Sequence, residues 1–278
     1  MLRSLVRYPV KSMQGEDLAS AEIRADGLVG DREWAVRDVR TGSLASAKQP
    51  RPFGGLLWCR AHHLDGQAVP SVTVPGSEAM PADDLQLQTR LSDHLGTTVE
   101  VVAVAGTSRT IRRTDPVDDG VGFDGRTLGP ETDDPVATGV PGDAKAVDLA
   151  AIHLVTEPTL AALAALVDDA DVVAARFRPN LVLDVDVPPF REHELVGHHL
   201  TIGEVVLRIT FPTPRCVVPT LGQPDVAASP ATLRQLAARS RPSVADLGPR
   251  TCLGLYADVI HPGRVRRHDA VTIDGARS

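Results

Sequence analysis

Short runs of alternating or β-branched residues, each ended by Gly, Pro or Asp, fill the first hundred positions and restrict the chain to a mainly β architecture. Leu2–Tyr8, Leu18–Ile23, Glu33–Arg37, Gly55–His62, Ser71–Val74 and Thr98–Val104 read as strands. One helix interrupts them at about Asp83–Leu95. Leu85, Leu87, Leu91 and Leu95 give it an apolar stripe at mostly helical spacing, and Gly96 supplies the stop. Strands divided by turns predict a small barrel or sandwich rather than an alternating βαβ chain.

Between Gly106 and Asp143 apolar runs vanish, Gly, Asp, Pro and Thr dominate, and acidic pairs stand at Asp118-Asp119 and Asp133-Asp134. Such a stretch is expected to be an exposed connection or flap. A second set of elements follows. Ala150-Ala-Ile-His-Leu-Val155 reads as a strand, Thr156 as an N-cap, and Glu157–Val167 as a helix with Pro158 in its first turn. Strands are expected at Leu181–Val185, His199–Ile202 and Val205–Phe211, and again at Leu253–Ile260 and Val271–Ile273. Between these last groups, Ser229 can cap a helix over Pro230–Arg239. The fold class is therefore mainly β with a few helices (α+β).

Aromatic residues make up only 3% of the 278, so the core must be built from Val, Leu, Ile and Ala. A formal net charge of −7 argues against wholesale nucleic-acid binding. The basic cluster Arg109-Thr-Ile-Arg-Arg113 reads as a solvated loop. No run approaches the roughly 18 apolar residues of a membrane helix, and the N-terminus lacks the apolar core of a secretory signal. Cys59, Cys216 and Cys252 show no paired spacing, which points to a reducing, cytoplasmic setting.

Chemistry concentrates in four polar motifs. Lys11-Ser12 follows Pro9 in a bend and offers an ammonium and a hydroxyl to an anion. Arg32, then Ser46 and Lys48, add donors of the kind that grip phosphate. Arg178 precedes Pro179, which favours an extended backbone there, and Asn180 carries both donors and acceptors. Cys216 follows Arg215 in Phe211-Pro-Thr-Pro-Arg-Cys216. A neighbouring cation favours thiolate, the form required of a nucleophile or soft-metal ligand, but a lone cysteine is also a common buried filler. His62-His63 and His198-His199 lack the companion spacing of a zinc site. Dinucleotide, Walker and serine-hydrolase motifs are absent from the sequence.

Tyr8-Pro-Val-Lys-Ser12, Asp31-Arg-Glu-Trp34, Phe177-Arg-Pro-Asn180, Arg215-Cys216 and a closing Leu253-Gly-Leu-Tyr256, in this order, resemble the MOSC superfamily. More narrowly, they resemble the branch holding the mitochondrial amidoxime-reducing component and its bacterial relatives. The resemblance implies two β-barrel-like units, an N-terminal MOSC β-barrel domain over 1–108 and a MOSC domain over 109–278, with 106–145 as the connection. It also implies a molybdenum cofactor (Mo-molybdopterin). Cys216 would be the molybdenum ligand and catalytic residue, with Lys11, Ser12, Arg32, Ser46, Lys48, Thr156, Arg178, Asn180, Arg215 and Tyr256 around the pterin and its phosphate.

Cations scattered along an acidic chain make sense if they converge on an anionic ligand. The activity implied is reduction of small N-hydroxylated substrates such as amidoximes and hydroxylamines. Electrons would come from a separate donor protein (ferredoxin, flavodoxin or a cytochrome b5-like reductase chain), since no ferredoxin-like extension follows. The alternative is a non-redox carrier of cofactor or persulfide sulfur. Neither nucleic acid nor membrane is expected as a partner. Pro214 stands where the family often has a small polar residue, which removes a backbone donor.

Overall fold

The computed structural model describes residues 1–64, 66–105, 110–116, 128–135, 145–167 and 172–275. Its largest sheet has eight strands, in the spatial order Val271–Asp274, His199–Ile202, Val205–Pro214, Cys252–His261, Ile152–Thr156, Leu181–Leu183, Leu2–Arg7 and Glu16–Asp17. The sheet curls into a half-barrel and keeps two edges, Val271–Asp274 and Glu16–Asp17. Neighbours are antiparallel except Ile152–Thr156 beside Leu181–Leu183. A parallel pair needs a crossover, and helix Glu157–Val167 lies in that connection.

All five residues of Ile152–Thr156 are buried, because this central strand is covered on both faces. Ile152 and Leu154 enter a core with Leu2, Leu5, Ile23 and Leu28. Val155 packs on the opposite face with Leu160, Leu163 and Phe177. The two-residue period of a strand puts His153 on the Val155 side.

A separate core in the N-terminal half joins Val10, Met13, Val36, Phe53, Leu56, Leu87, Leu91 and Val101. It packs against helix Leu85–Leu95, where Asp84 accepts the Gln86 N–H at 2.7 Å and Gly96, at φ 66°, ends the last turn. The first 28 residues are shared between the halves. Leu2–Arg7 joins the large sheet, and Ser20–Arg24 pairs with Gly263–Arg266.

Two segments differ from expectation. Gly55–His62 is not a strand throughout: a 3₁₀ turn over Gly54–Trp58 precedes a short strand, Arg60–His62. A strand would send Leu56 and Leu57 to opposite faces, whereas the turn buries both. Within the expected connection, Thr110–Pro116 and Leu128–Pro135 pair as an antiparallel ladder. The rest of 106–144, including Arg109 and the Asp118-Asp119 pair, lies outside the described residues. Among the described residues, no helix is long and apolar enough to cross a membrane.

Candidate functional site

A cavity of about 510 Å³ is lined by residues from both halves. Ten of the eleven expected site residues meet there: Lys11, Ser12, Arg32, Ser46, Lys48, Arg178, Asn180, Arg215, Cys216 and Tyr256. Backbone hydrogen bonds weave three segments into its wall. Arg32 N donates to Tyr8 O at 2.7 Å, Lys11 N to Trp34 O at 2.9 Å, and Ala146 N to Arg32 O at 2.8 Å. Ser12, Arg32 and Arg178 all adopt left-handed backbone, with φ of 67°, 53° and 55°. Such conformations cost about 1–3 kcal/mol each and persist where surrounding structure enforces them. The extended backbone expected at Arg178 is therefore corrected. Its N–H is turned back to Ala174 O and Ala175 O, closing the short helix before it.

Lys11 donates to Ala146 O at 3.0 Å and to Asp148 Oδ1 at 2.7 Å, while Lys48 Nζ lies 3.0 Å from Asp148 Oδ2. Burial brings Lys11 down to about 8, although Asp148 opposes the shift. Burial also disfavours charge on Lys48, but Asp148 and Cys216 outweigh it and its pKa is raised. Asp148 itself is held well below the usual carboxylate range, since Lys11 and Lys48 overcome the effect of its burial. Ser12 Oγ accepts the Ala47 N–H at 3.1 Å and Ser46 Oγ the Lys48 N–H at 3.3 Å. Both hydroxyls can still donate their own proton.

The guanidinium groups of Arg32 and Arg178 lie 4.9 and 4.3 Å from the centre of the Tyr8 ring. Arg32 pairs with buried Asp31 and donates to Arg178 O at 3.1 Å. Arg178 donates to Met13 O, and burial, with Arg32 nearby, lowers it to about 10. Asn180 is occupied largely by backbone: its Oδ1 accepts from His153 N at 3.3 Å and its Nδ2 donates to Val6 O at 3.3 Å. Asn180 therefore braces the wall, and Arg32 Nη1 also donates to its Oδ1 at 3.4 Å.

Arg215 donates to Phe177 O at 3.3 Å and to His153 Nε2 at 3.4 Å. Cys216 is partly buried and packs with Ala47, Leu57 and Val218. It is the one cysteine lining the cavity; Cys59 and Cys252 are buried elsewhere, and burial pushes the Cys59 thiol up to about 12. Tyr256 lies 5.4 Å from His153, ring to ring, and burial raises its hydroxyl to about 12.

Thr156 is the exception and does not line the cavity. Its hydroxyl donates to Thr159 Oγ1 at 3.1 Å, and Thr159 donates in turn to buried Glu192 at 2.8 Å. The hydroxyl is engaged in this buried network, apart from the residues that line the cavity.

Sequence reading missed Asp148, His153 and the pair Ile111 and Arg113, all of which line the cavity. Arg113 sits on a paired strand and not in a solvated loop. His153 could have been found as the single ionisable residue in the apolar run Ala150–Val155. Asp148, a lone acid, carried no signal.

The cavity wall suits an anion. Arg178 Nη2 and Arg215 Nε are buried without a hydrogen-bond partner among the described residues. Buried donors of this kind are costly unless a ligand satisfies them. Phosphate oxygens fit guanidinium groups, and a thiol fits a soft metal, so these residues fit a phosphorylated, metal-bearing cofactor.

Residues 141–272 match the MOSC domain and residues 1–108 the MOSC N-terminal beta barrel domain. A molybdenum cofactor sulfurase from Drosophila grimshawi is 28% identical over 243 residues, covering 85% of this chain and 30% of that protein. The chain thus spans less than a third of the length of this curated relative. Among solved structures, the YUAD protein from Bacillus subtilis aligns over 98% of this chain and 93% of its own, with a TM-score of 0.45 and 11% identity. YiiM from Geobacillus stearothermophilus aligns over 46% of this chain and 58% of its own, with a TM-score of 0.32 and 16% identity. With both family models matching in order and together spanning most of the sequence, the chain belongs to the MOSC family, which is associated with molybdenum cofactor binding or sulfuration.

Proposed function

We propose that the chain is a reductase of small N-hydroxylated compounds that holds a molybdenum cofactor in the cavity and takes electrons from a separate donor protein. The carrying observation is the convergence of Lys11, Lys48, Arg32, Arg178 and Arg215 around one cavity that also exposes a single thiol, Cys216. Cys216 would hold the metal. Arg178 and Arg215, with their unpartnered N–H groups, would bind phosphate and pterin oxygens, and Ser12 and Ser46 would donate their hydroxyl protons. When bound, the cofactor would supply the two-electron redox chemistry, while the protein orients it and sets the local charge.

The name of the Drosophila relative favours a second reading, a non-redox carrier of cofactor or sulfur through Cys216. Protein made in a cofactor-competent host separates the two. Near-stoichiometric molybdenum, one fewer sulfur ligand at the metal in Cys216→Ala by X-ray absorption, and reduction of benzamidoxime with a supplied electron donor support the reductase. Bound molybdenum without benzamidoxime reduction supports the carrier. An unchanged number of sulfur ligands at molybdenum in Cys216→Ala, read by X-ray absorption, removes Cys216 as the ligand in either case.

A further inference from the structure

His153 is buried at the cavity wall and has no place in the motifs that identify the family. Its two ring nitrogens face groups of opposite character. Nδ1 lies 3.4 Å from the Arg178 carbonyl oxygen, which only accepts. Nε2 lies 3.4 Å from Arg215 Nη2, which only donates. A single protonation state satisfies both: neutral imidazole, with hydrogen on Nδ1 and a lone pair on Nε2. Burial, then Arg215 and Arg32, disfavour the charged ring and hold its pKa well below 6.5, against the Arg178 carbonyl and then Asp148.

The same Arg178 carbonyl accepts from Arg32 Nη2 at 3.1 Å. One oxygen and one imidazole therefore link Arg32, Arg178 and Arg215. The second contact of the Arg215 fork, Nη1 to Phe177 O at 3.3 Å, lies on the same stretch of chain. With both terminal nitrogens tied back, Arg215 Nε remains buried and unpartnered at the cavity wall. Without the acceptor at position 153, the guanidinium would keep one hydrogen bond and the Phe177 ring 5.8 Å away, and its Nη2 edge would be untethered.

We infer that His153 is a positioning residue, a neutral hydrogen-bond acceptor that orients the Arg215 guanidinium toward an anionic ligand beside Cys216. The inference rests on reading the cavity as an anion site. It predicts that the residue needed at 153 is one that donates to a carbonyl and accepts from a guanidinium, whether or not it titrates. Glutamine meets that requirement and leucine does not.

Calorimetric titration with inorganic phosphate should show His153→Leu binding about tenfold more weakly than the wild-type chain, with His153→Gln within about threefold of it. In an Arg215→Ala background, His153→Leu should have little further effect, because its action runs through Arg215. Nitrogen NMR of histidine-labelled wild-type protein, with the resonance assigned by its loss in His153→Gln, should show hydrogen on Nδ1 and none on Nε2 near neutral pH.

Hydrogen found on Nε2, wild-type affinity in His153→Leu, or an equal loss in His153→Gln and His153→Leu would overturn the role of His153. Failure of the wild-type chain to bind phosphate would overturn the anion-site reading beneath it. Should His153→Leu not fold, His153→Ala takes its place, with the same tenfold loss expected and wild-type affinity overturning the role.

Discussion

Asp148 Oδ1 lies 2.7 Å from Lys11 Nζ, and the other oxygen of the same carboxylate lies 3.0 Å from Lys48 Nζ. One acid thus bridges two buried lysines of the N-terminal half and holds them at the cavity. Their shared counter-ion explains how a wall so rich in cations folds at all.

Replacing that carboxylate by an amide of the same shape should expose the cost. Asp148→Asn leaves Lys11 and Lys48 without their acid and should destabilise the protein by roughly 1–3 kcal/mol, as seen when one partner of a poorly solvated pair is removed. Sulfate should recover more stability in the variant than in the wild type, since the anion would take the vacated role. Urea unfolding with and without sulfate checks this. Equal stabilisation of both proteins would mean that these lysines do not face an anion site.

Lys11 gives the site its pH dependence. With its pKa at about 8, it is mostly charged at neutral pH and discharges as pH rises past that value. An anion prefers the charged form, so sulfate affinity should fall as pH rises through about 8, by at most about tenfold per unit for one proton. Lys11→Met should flatten the profile. The stability sign runs the other way: between about 8 and the ordinary lysine value of 10.5 the unfolded chain binds more protons, so the contribution of Lys11 to stability increases across that window. Affinity and stability should therefore diverge over the same pH range.

Much of this was legible in the sequence. Helix Leu85–Leu95 and its Gly96 stop follow from spacing and an end signal, although Leu85, counted in the apolar stripe, is exposed; the Asp84 cap emerges only in the structure. The strands from Ile152 onward follow from apolar runs broken by turns, except Gly263–Arg266, which has no apolar run and pairs with Ser20–Arg24. Convergence of Lys11, Arg32, Arg178 and Arg215 came from family motifs, because no local rule brings residues so far apart in the chain to one wall. What stayed hidden is what tertiary context decides. Arg178 is left-handed despite Pro179, because the backbone around it overrides the local preference. Asp148 matters only beside two lysines more than 90 residues earlier in the chain.

Thr156 tests where the cavity ends. Its hydroxyl serves Thr159 and, through it, Glu192, whose other oxygen accepts from Gly254 N at 3.1 Å. Thr156→Val should cost about 1 kcal/mol of stability through the lost hydrogen bond and leave phosphate affinity within twofold. Thermal unfolding and calorimetry measure the two effects separately. A large fall in affinity at wild-type stability would return Thr156 to the ligand site.

Gly254 separates backbone strain from steric contact. Its φ is 81°, and a Cβ there would stand 2.5 Å from Leu154 O, 2.8 Å from Val155 Cγ1 and 3.1 Å from His153 Nε2. Gly76 has nearly the same φ, 77°, with nothing within 4 Å of its own added Cβ. Gly76→Ala should therefore cost only the left-handed backbone, about 1–2 kcal/mol. Gly254→Ala should cost that and, in addition, about 1–3 kcal/mol for forcing a methyl against a main-chain oxygen that cannot retreat within the central sheet. The same methyl presses on the imidazole that holds Arg215, so Gly254→Ala should weaken phosphate binding while Gly76→Ala leaves it unchanged. Urea unfolding of both variants, followed by phosphate titration, measures the difference. Equal stability losses would show that the close approach of Gly254 to Leu154 O is relieved at no cost, and that residues 153–155 are not held rigidly.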